Sequence, residues 1–115
     1  MTRTALSLLL VMCSPFVLAH TPSESTHPAD GATLETVPEM LHVTFAEPTR
    51  VVKIVLIHTG PGGTHETRLE PPSKEPSETL HLTPELPGAG EYALTWRALG
   101  ADGHVVTGSF TFRVR

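Results

Sequence analysis

The chain has 115 residues, enough for one domain, and it is mildly acidic, with 8 Lys and Arg against 12 Asp and Glu. Its basic residues occur singly in the sequence, which argues against nucleic acid or an anionic membrane surface as the main partner. Histidine is plentiful, with seven residues, whereas cysteine, tryptophan and tyrosine each occur once.

The first nineteen residues have the pattern of an export signal. Arg3 supplies a positive charge, an apolar run is centred on residues 6–11, and Val17-Leu18-Ala19 provides the small or branched residues that a signal peptidase requires. The apolar run is too short to anchor the chain in a bilayer. We therefore predict that residues 1–19 are a signal peptide and that the protein is exported to the periplasm.

Cleavage after Ala19 removes Cys13, so residues 20–115 form a single domain without a disulfide. The mature chain then begins with His20, which carries a free α-amine beside its imidazole. A lipoprotein signal that ends at Cys13 is the alternative, but Met12 is larger than the residue expected before a lipidated cysteine.

The first half of the mature chain is rich in strand signals. Residues 20–26 suit an edge strand, and Pro28-Ala29-Asp30-Gly31 suits a turn. Residues 41–45 alternate between apolar and polar, and Glu47-Pro48 should end that strand. Residues 51–57 are almost continuously apolar and β-branched, which predicts a central strand covered on both faces.

The second half continues in short strands, with turn or loop signals at residues 59–63 and 70–77. Strands are predicted over residues 65–69, 79–82, 92–98 and 106–114. No segment has a helical period. About seven short strands predict an all-β fold, a single Greek-key β-barrel or immunoglobulin-like sandwich.

The connection between the last two strands carries the clearest chemical signal. In an extended chain, residues i and i+2 lie on the same side, roughly 6.6 Å apart along the strand, so Asp102 and His104 can converge on one ion. Gly103 lets the backbone turn between them. A carboxylate and an imidazole suit Cu(II), Ni(II) or Zn(II) better than the soft ion Cu(I).

The terminal His20 offers two further donors, because its amine and ring nitrogen can close a six-membered chelate on the same metal. Three nitrogens and one oxygen make the tetragonal set that Cu(II) prefers. Each half of this set has an ordinary alternative, since Asp-Gly is a common turn dipeptide and a histidine after it is often only solvated. The two halves together favour a metal site.

The order of short motifs resembles that of the CopC family of periplasmic copper-binding proteins, along essentially the whole mature chain. The motifs are Ala19-His20, Pro28-Ala29-Asp30-Gly31-Ala32, Phe45-Ala46-Glu47-Pro48, Leu86-Pro87-Gly88, Trp96-Arg97, Ala101-Asp102-Gly103-His104, and Gly108, Phe110, Phe112 and Val114. The resemblance implies a Greek-key β-barrel and one Cu(II) per chain. Its ligands map onto His20, Asp102 and His104.

Three departures from the family pattern affect this prediction. Some members bind Cu(I) through a methionine-rich loop, whereas the mature chain here has only Met40, which we interpret as a core or edge residue. Pro22 replaces a second histidine found in some members, and Gly100 replaces a frequent serine. The chain therefore resembles members with a single Cu(II) site.

The other histidines are interpreted mainly as surface residues. His42 and His81 fall on the outward faces of predicted strands, and His58 and His65 flank a glycine-rich hairpin where they could bind a metal weakly. His27 is the best candidate for an accessory ligand. Trp96 is assigned to the core, and Arg97 could orient Asp102 or be solvated.

Three classes of function are open at this point. We favour a monomeric copper carrier without enzymatic activity, in copper resistance, homeostasis or uptake. The alternatives are a copper oxidase with a histidine brace, like polysaccharide monooxygenases, and a metal-free immunoglobulin-like interaction module. CopC proteins often act beside an inner-membrane copper transporter of the CopD type, which we expect to be a separate protein because this chain ends at Arg115 without a membrane segment.

Overall fold

The computed structural model describes residues 23–115, and every regular element in this range is a β-strand. The strands are β1 Ser23–His27, β2 Ala32–Leu34, β3 Leu41–Gly60, β4 Gly63–Leu69, β5 Ser77–Leu82, β6 Gly90–Leu99 and β7 Val105–Val114. The predicted all-β class with about seven strands is confirmed. The predicted signal peptide, residues 1–19, and His20 lie outside the described residues.

The long strand β3 organises the fold because its two halves belong to different sheets. Its first half pairs antiparallel with β1 on one side and β5 on the other, and we call these three strands the small sheet. Its second half pairs with β4 and β6, and the large sheet continues from β6 through β7 to the short parallel strand β2. One strand thus joins the two layers around the core.

The prediction that Glu47-Pro48 ends a strand is wrong. β3 continues through this point, and the pairing register shifts between Thr44 and Thr49, where the strand passes from one sheet to the other. A proline has no N–H to donate to a neighbouring strand, so it is tolerated at a position where the strand is not paired. Phe45 and Thr49 have partners in the small sheet, whereas residues 46–48 have none in either described sheet.

The prediction that residues 51–57 are covered on both faces is also wrong. This part of β3 is central, as expected, because it lies between β4 and β6. However, Ile54 and Leu56 are buried, whereas Val52 and Lys53 are exposed and Val55 is only half-buried. The large sheet is therefore packed on its inner face, and its outer face is open in the described part of the chain.

The core lies between the inner faces of the two sheets, and the predicted alternation identifies most of it. Its buried members are Leu41, Val43, Phe45, Val51, Ile54, Leu56, Leu80, Leu82, Tyr92, Leu94, Trp96, Ala98, Phe110, Phe112 and Val114. Trp96 is 6% exposed and meets Phe45 edge-to-face, with ring centroids 6.1 Å apart, which confirms its assignment to the core. No cysteine lies in the described range, so this packing holds the fold without a disulfide.

Candidate functional site

The loop between β6 and β7 forms a tight, hydrogen-bonded hairpin connection. The Gly103 N–H donates to the Gly100 carbonyl oxygen at 3.0 Å, and the Gly100 N–H donates to the His104 carbonyl oxygen at 2.9 Å. Gly103 has a φ of 82°, a left-handed conformation that glycine adopts without steric cost. This is the pattern of a turn followed by a glycine bulge, and it fixes the backbone on both sides of Asp102.

The carboxylate of Asp102 contacts His104 twice within this loop. Its Oδ1 accepts the backbone N–H of His104 at 3.0 Å, and its Oδ2 lies 2.6 Å from Nδ1 of the His104 ring. The two side chains therefore converge, as the sequence predicted. The cause is the turn rather than the same-side spacing of an extended strand.

These contacts determine the electrostatics of the pair. The backbone N–H of His104, and then its ring, lower the pKa of Asp102 below the ordinary value of a carboxyl. The carboxylate thus stays charged into acidic solution. Both side chains are largely exposed, 83% for His104 and 68% for Asp102, so an ion can approach them directly from solvent.

The His104 ring has one nitrogen committed to this contact and one that is not. Nδ1 faces the carboxylate, and no other hydrogen bond to the ring occurs within residues 23–115. A histidine whose first nitrogen is held by a carboxylate commonly binds a metal through its second nitrogen. A modest rotation that breaks the contact would instead present both side chains to one ion.

The topology brings the start of β1 to the same end of the molecule as this loop. Ser23, where β1 begins, lies opposite Phe45, just before the unpaired segment 46–48 of β3. Leu99, where β6 ends, lies opposite Arg50, just after that segment. Ser23, the first described residue, therefore lies at the same end of the molecule as the loop that carries Asp102 and His104.

The remaining site candidates from the sequence lie elsewhere or have structural contacts. His27 pairs with His42 in the small sheet, so β1 carries it away from the β6–β7 loop. His58 places its Nε2 3.0 Å from the Ala89 carbonyl oxygen and stacks on Tyr92, with ring centroids 4.5 Å apart. These contacts assign His58 to packing near the end of β3.

Arg97 and His65 are two further candidates from the sequence. Arg97 is exposed on β6, and it forms no salt bridge within the described residues, which leaves it solvated rather than bound to Asp102. His65 is exposed on β4, opposite His58.

Sequence reasoning missed the contact between His42 and His81. The sequence predicts that both are solvated, but their rings stack with centroids 4.1 Å apart. Nε2 of His42 is shielded from solvent and has no hydrogen-bond partner in the described structure. The signal that could have found it is register, because a pairing of residues 41–44 with residues 79–82 places the two histidines directly opposite each other.

Within residues 23–115, no three side chains of the His, Cys, Asp and Glu types are arranged around a common point as a metal site. Asp102 and His104 are two side chains of these types that do lie together. In the same range, no helix has the length and apolarity needed to cross a membrane.

Comparisons with known proteins agree with the fold and identify the family. A family model for the CopC domain matches residues 23–115. Over 111 residues the chain is 31% identical to copper resistance protein C of Pseudomonas syringae pv. tomato, covering 92% of this chain and 84% of that protein.

Solved structures give the same result. PcoC, a methionine-rich copper resistance protein from Escherichia coli, aligns with a TM-score of 0.61 and 27% identity, covering 84% of this chain and all of that chain. CopC from Methylosinus trichosporium OB3b aligns with a TM-score of 0.55 and 24% identity, covering 78% of this chain and 88% of that chain, and supports the fold alone. The chain therefore belongs to the CopC family.

Proposed function

We propose that the protein is a periplasmic copper carrier that binds one Cu(II) through His20, Asp102 and His104. The observation that carries this proposal is the convergence of the Asp102 carboxylate and the His104 imidazole on an exposed, backbone-fixed loop. Membership of the CopC family and the similarity to a copper resistance protein indicate that the metal is copper.

The position of β1 supports a contribution from His20. Only two residues separate His20 from Ser23, where the described strand begins. An extended chain rises about 3.3 Å per residue, so three steps cover roughly 10 Å. Ser23 lies beside the unpaired segment 46–48 of β3, and the end of β6 adjoins the same segment. A distance of this size would therefore allow the amine and imidazole of His20 to approach Asp102 and His104.

The chemistry of the donors fits Cu(II). An amine, two imidazoles and a carboxylate provide three nitrogens and one oxygen, and Cu(II) favours four such donors in a tetragonal arrangement. The Asp102 carboxylate is already charged over a wide pH range because its pKa is lowered. Metal binding therefore does not have to displace a proton from it, and competes only with its hydrogen bonds to His104.

A carrier fits this site better than an oxidase. A carboxylate among the metal ligands would occupy a coordination position that an oxygen co-substrate needs, and within the described residues the side chains of Asp102 and His104 are largely exposed to solvent. We expect no production of hydrogen peroxide from ascorbate above that of a non-specific copper peptide. We also propose that the carrier is a monomer that acts in copper resistance, homeostasis or uptake, and that a separate membrane transporter of the CopD type exchanges copper with it.

The test is competition for Cu(II) with a chelator, using protein that begins at His20. The same protein with one alanine placed before His20 keeps every side chain but converts the terminal amine to an amide. We expect the extended protein to bind Cu(II) at least about ten-fold more weakly. Equal affinity of the two proteins would contradict the role of His20, and His65→Ala, on the exposed strand β4, serves as the matched control.

A further inference from the structure

Four of the eight Lys and Arg side chains of the sequence lie together at one end of the large sheet. Lys53 on β3 lies opposite Arg97 on β6, and Arg50 lies opposite Leu99, the last residue of β6. Arg68 lies on β4, the other neighbour of β3. Strand pairing thus gathers cations that occur singly in the sequence, and we call Arg50, Lys53, Arg68 and Arg97 the basic cluster.

The basic cluster lies on the outer face of the sheet. Ile54 and Ala98, next in sequence to Lys53 and Arg97, are buried in the core, so alternation places these two cations on the opposite face. The same alternation, carried through the strand pairing, places the other two cations there. All four side chains are exposed, and none forms a salt bridge within residues 23–115.

The juxtaposition of Lys53 and Arg97 is unfavourable for the fold itself. The two residues are cross-strand partners, and like charges at directly opposite positions of an antiparallel pair repel each other. A glutamate at either position would form a favourable pair with the remaining cation. A purely structural role therefore leaves this pair of cations unexplained, and it points to an anionic group outside the described chain.

Two exposed apolar side chains border the basic cluster at the end that carries the β6–β7 loop. Val105 is 57% exposed and directly follows His104 at the start of β7. Val52 is 37% exposed and lies at the register shift of β3, next to Lys53. A small apolar centre with a charged rim is the anatomy of a protein–protein interface.

A shallow groove of about 700 Å³ extends from the basic cluster along the outer face. Lys53 and Arg97 line the end nearest the β6–β7 loop, and Thr107 and Ser109 add hydroxyl groups that can form hydrogen bonds. The carboxylate that lines the groove belongs to Glu66, which lies further from the loop. The end of the groove beside the loop is therefore positively charged and open to a partner.

We propose that the basic cluster, with Val52 and Val105, is the docking surface for an acidic protein partner that exchanges Cu(II) with the site at Asp102 and His104. The exchange of Cu(II) rests on the proposed function, whereas the docking surface rests on the charges and exposure described above. An acidic patch on a protein fits this surface better than an anionic membrane does. The net charge of −4 opposes approach to an extended anionic surface, whereas a compact acidic patch interacts mainly with the nearby cations, because salt screens charges beyond about 10 Å.

The test is an NMR titration of the copper-free protein that begins at His20, so that docking is measured independently of any copper site. The probe is a short peptide of glutamate, serine and leucine, and the control peptide has glutamine in place of glutamate. We expect the acidic peptide to shift the amide signals of residues 50–53, 97–99 and 105–107, with an affinity that falls as salt is added. Shifts spread over the whole surface, or equal shifts from the two peptides, would overturn the proposal.

A charge-matched pair of variants locates the binding surface. The double variant Lys53→Gln, Arg97→Gln should weaken the binding of the acidic peptide about ten-fold, and it should fold because it removes a repulsion between exposed side chains. The control is Arg113→Gln combined with Arg115→Gln, which removes the same charge at the other end of β7 and should change the affinity less than about two-fold. Equal losses in the two double variants would overturn the assignment to the basic cluster.

Two other occupants of the surface are outcomes of the same experiment. Binding to vesicles of phosphatidylglycerol, in the absence of binding to the acidic peptide, would overturn the proposal in favour of a membrane. Self-association in sedimentation that is lost in Lys53→Gln, Arg97→Gln would overturn it in favour of a second copy of the chain. Chelator competition for Cu(II) keeps the two proposals apart: docking of the peptide without Cu(II) binding refutes the copper carrier, whereas Cu(II) binding without docking refutes the docking surface.

Discussion

Gly108 on β7 lies directly opposite Trp96 on β6, and the indole ring of Trp96 occupies the space that any side chain at Gly108 would need. A β-carbon at this position would overlap the ring. The glycine therefore allows the single tryptophan to lie across the strand pair and contribute to the core beneath the β6–β7 loop.

Gly108→Ala should destabilise the protein by about 1–3 kcal/mol, because the ring must shift within a packed environment. Urea denaturation followed by tryptophan fluorescence measures this free energy of unfolding. Ser109→Ala, at the adjacent exposed position of β7, is the control and should change the stability by less than about 0.5 kcal/mol. A Gly108→Ala protein as stable as the Ser109→Ala protein would contradict the close packing.

Gly103→Val should weaken Cu(II) binding through the backbone alone. The φ of 82° is costly for a β-branched residue, whereas a β-carbon at this position would have no atom within 4 Å, so steric contact contributes nothing. Gly103→Asn is the matched control, because asparagine tolerates the left-handed conformation. We expect the valine variant to lose Cu(II) affinity in chelator competition and the asparagine variant to retain most of it. An equal loss of Cu(II) affinity in Gly103→Val and Gly103→Asn would contradict a dependence of copper binding on the left-handed conformation at this position.

Asp102→Asn should lower Cu(II) affinity without unfolding the protein, because the exposed side chain keeps its shape but loses its charge. The pH dependence of binding provides a second measurement. Because the pKa of Asp102 is lowered, the loss of copper on acidification should come from protonation of the nitrogen ligands. The logarithm of the Cu(II) affinity should therefore fall with the same slope against pH in the wild type and in Asp102→Asn, with the variant displaced to weaker binding at every pH. A wild-type curve of Cu(II) affinity against pH that follows the titration of a carboxyl group would contradict the assignment of copper loss to the nitrogen ligands.

Tyr92 should make stability depend on alkaline pH. Burial raises the pKa of Tyr92 above 10.0, and the Gly88 N–H that donates to its hydroxyl oxygen offsets part of the rise. Because the pKa of Tyr92 is higher in the folded protein than in the unfolded chain, the neutral Tyr92 hydroxyl contributes fully to stability below pH 10.0. This contribution is lost as the pH rises through the folded-state pKa. The alkaline decline in the free energy of unfolding should be shallower in Tyr92→Phe. Because Tyr92 is the single tyrosine, its absorbance near 295 nm follows the ionisation directly.

The strands were predictable because alternation on β6 and β7 is regular and the turns are rich in glycine and proline. The sequence predicts a strand over residues 92–98, and β6 spans Gly90–Leu99. The continuation of β3 through Pro48 was not predictable from local signals, since proline normally ends a strand. It is allowed here because this stretch is unpaired where the chain changes sheets, which is a tertiary property.

The candidate site was predictable only in part. The Asp-Gly-His spacing indicated that Asp102 and His104 would lie together, and they do. Their mutual hydrogen bonds depend on the conformation of the turn and could not be deduced from spacing. The contact of His81 with His42 and Met40 depends on the register between β3 and β5, residues far apart in sequence, and periodicity within one strand contains no information about it.

The central claim is that export and cleavage complete a Cu(II) site by exposing the amine of His20. The most direct measurement is the electron paramagnetic resonance spectrum of the protein that begins at His20, with one equivalent of Cu(II). We predict a tetragonal spectrum with couplings to nitrogen that changes when one alanine precedes His20 and when His104 is replaced by alanine. A spectrum identical in all three proteins would contradict the claim.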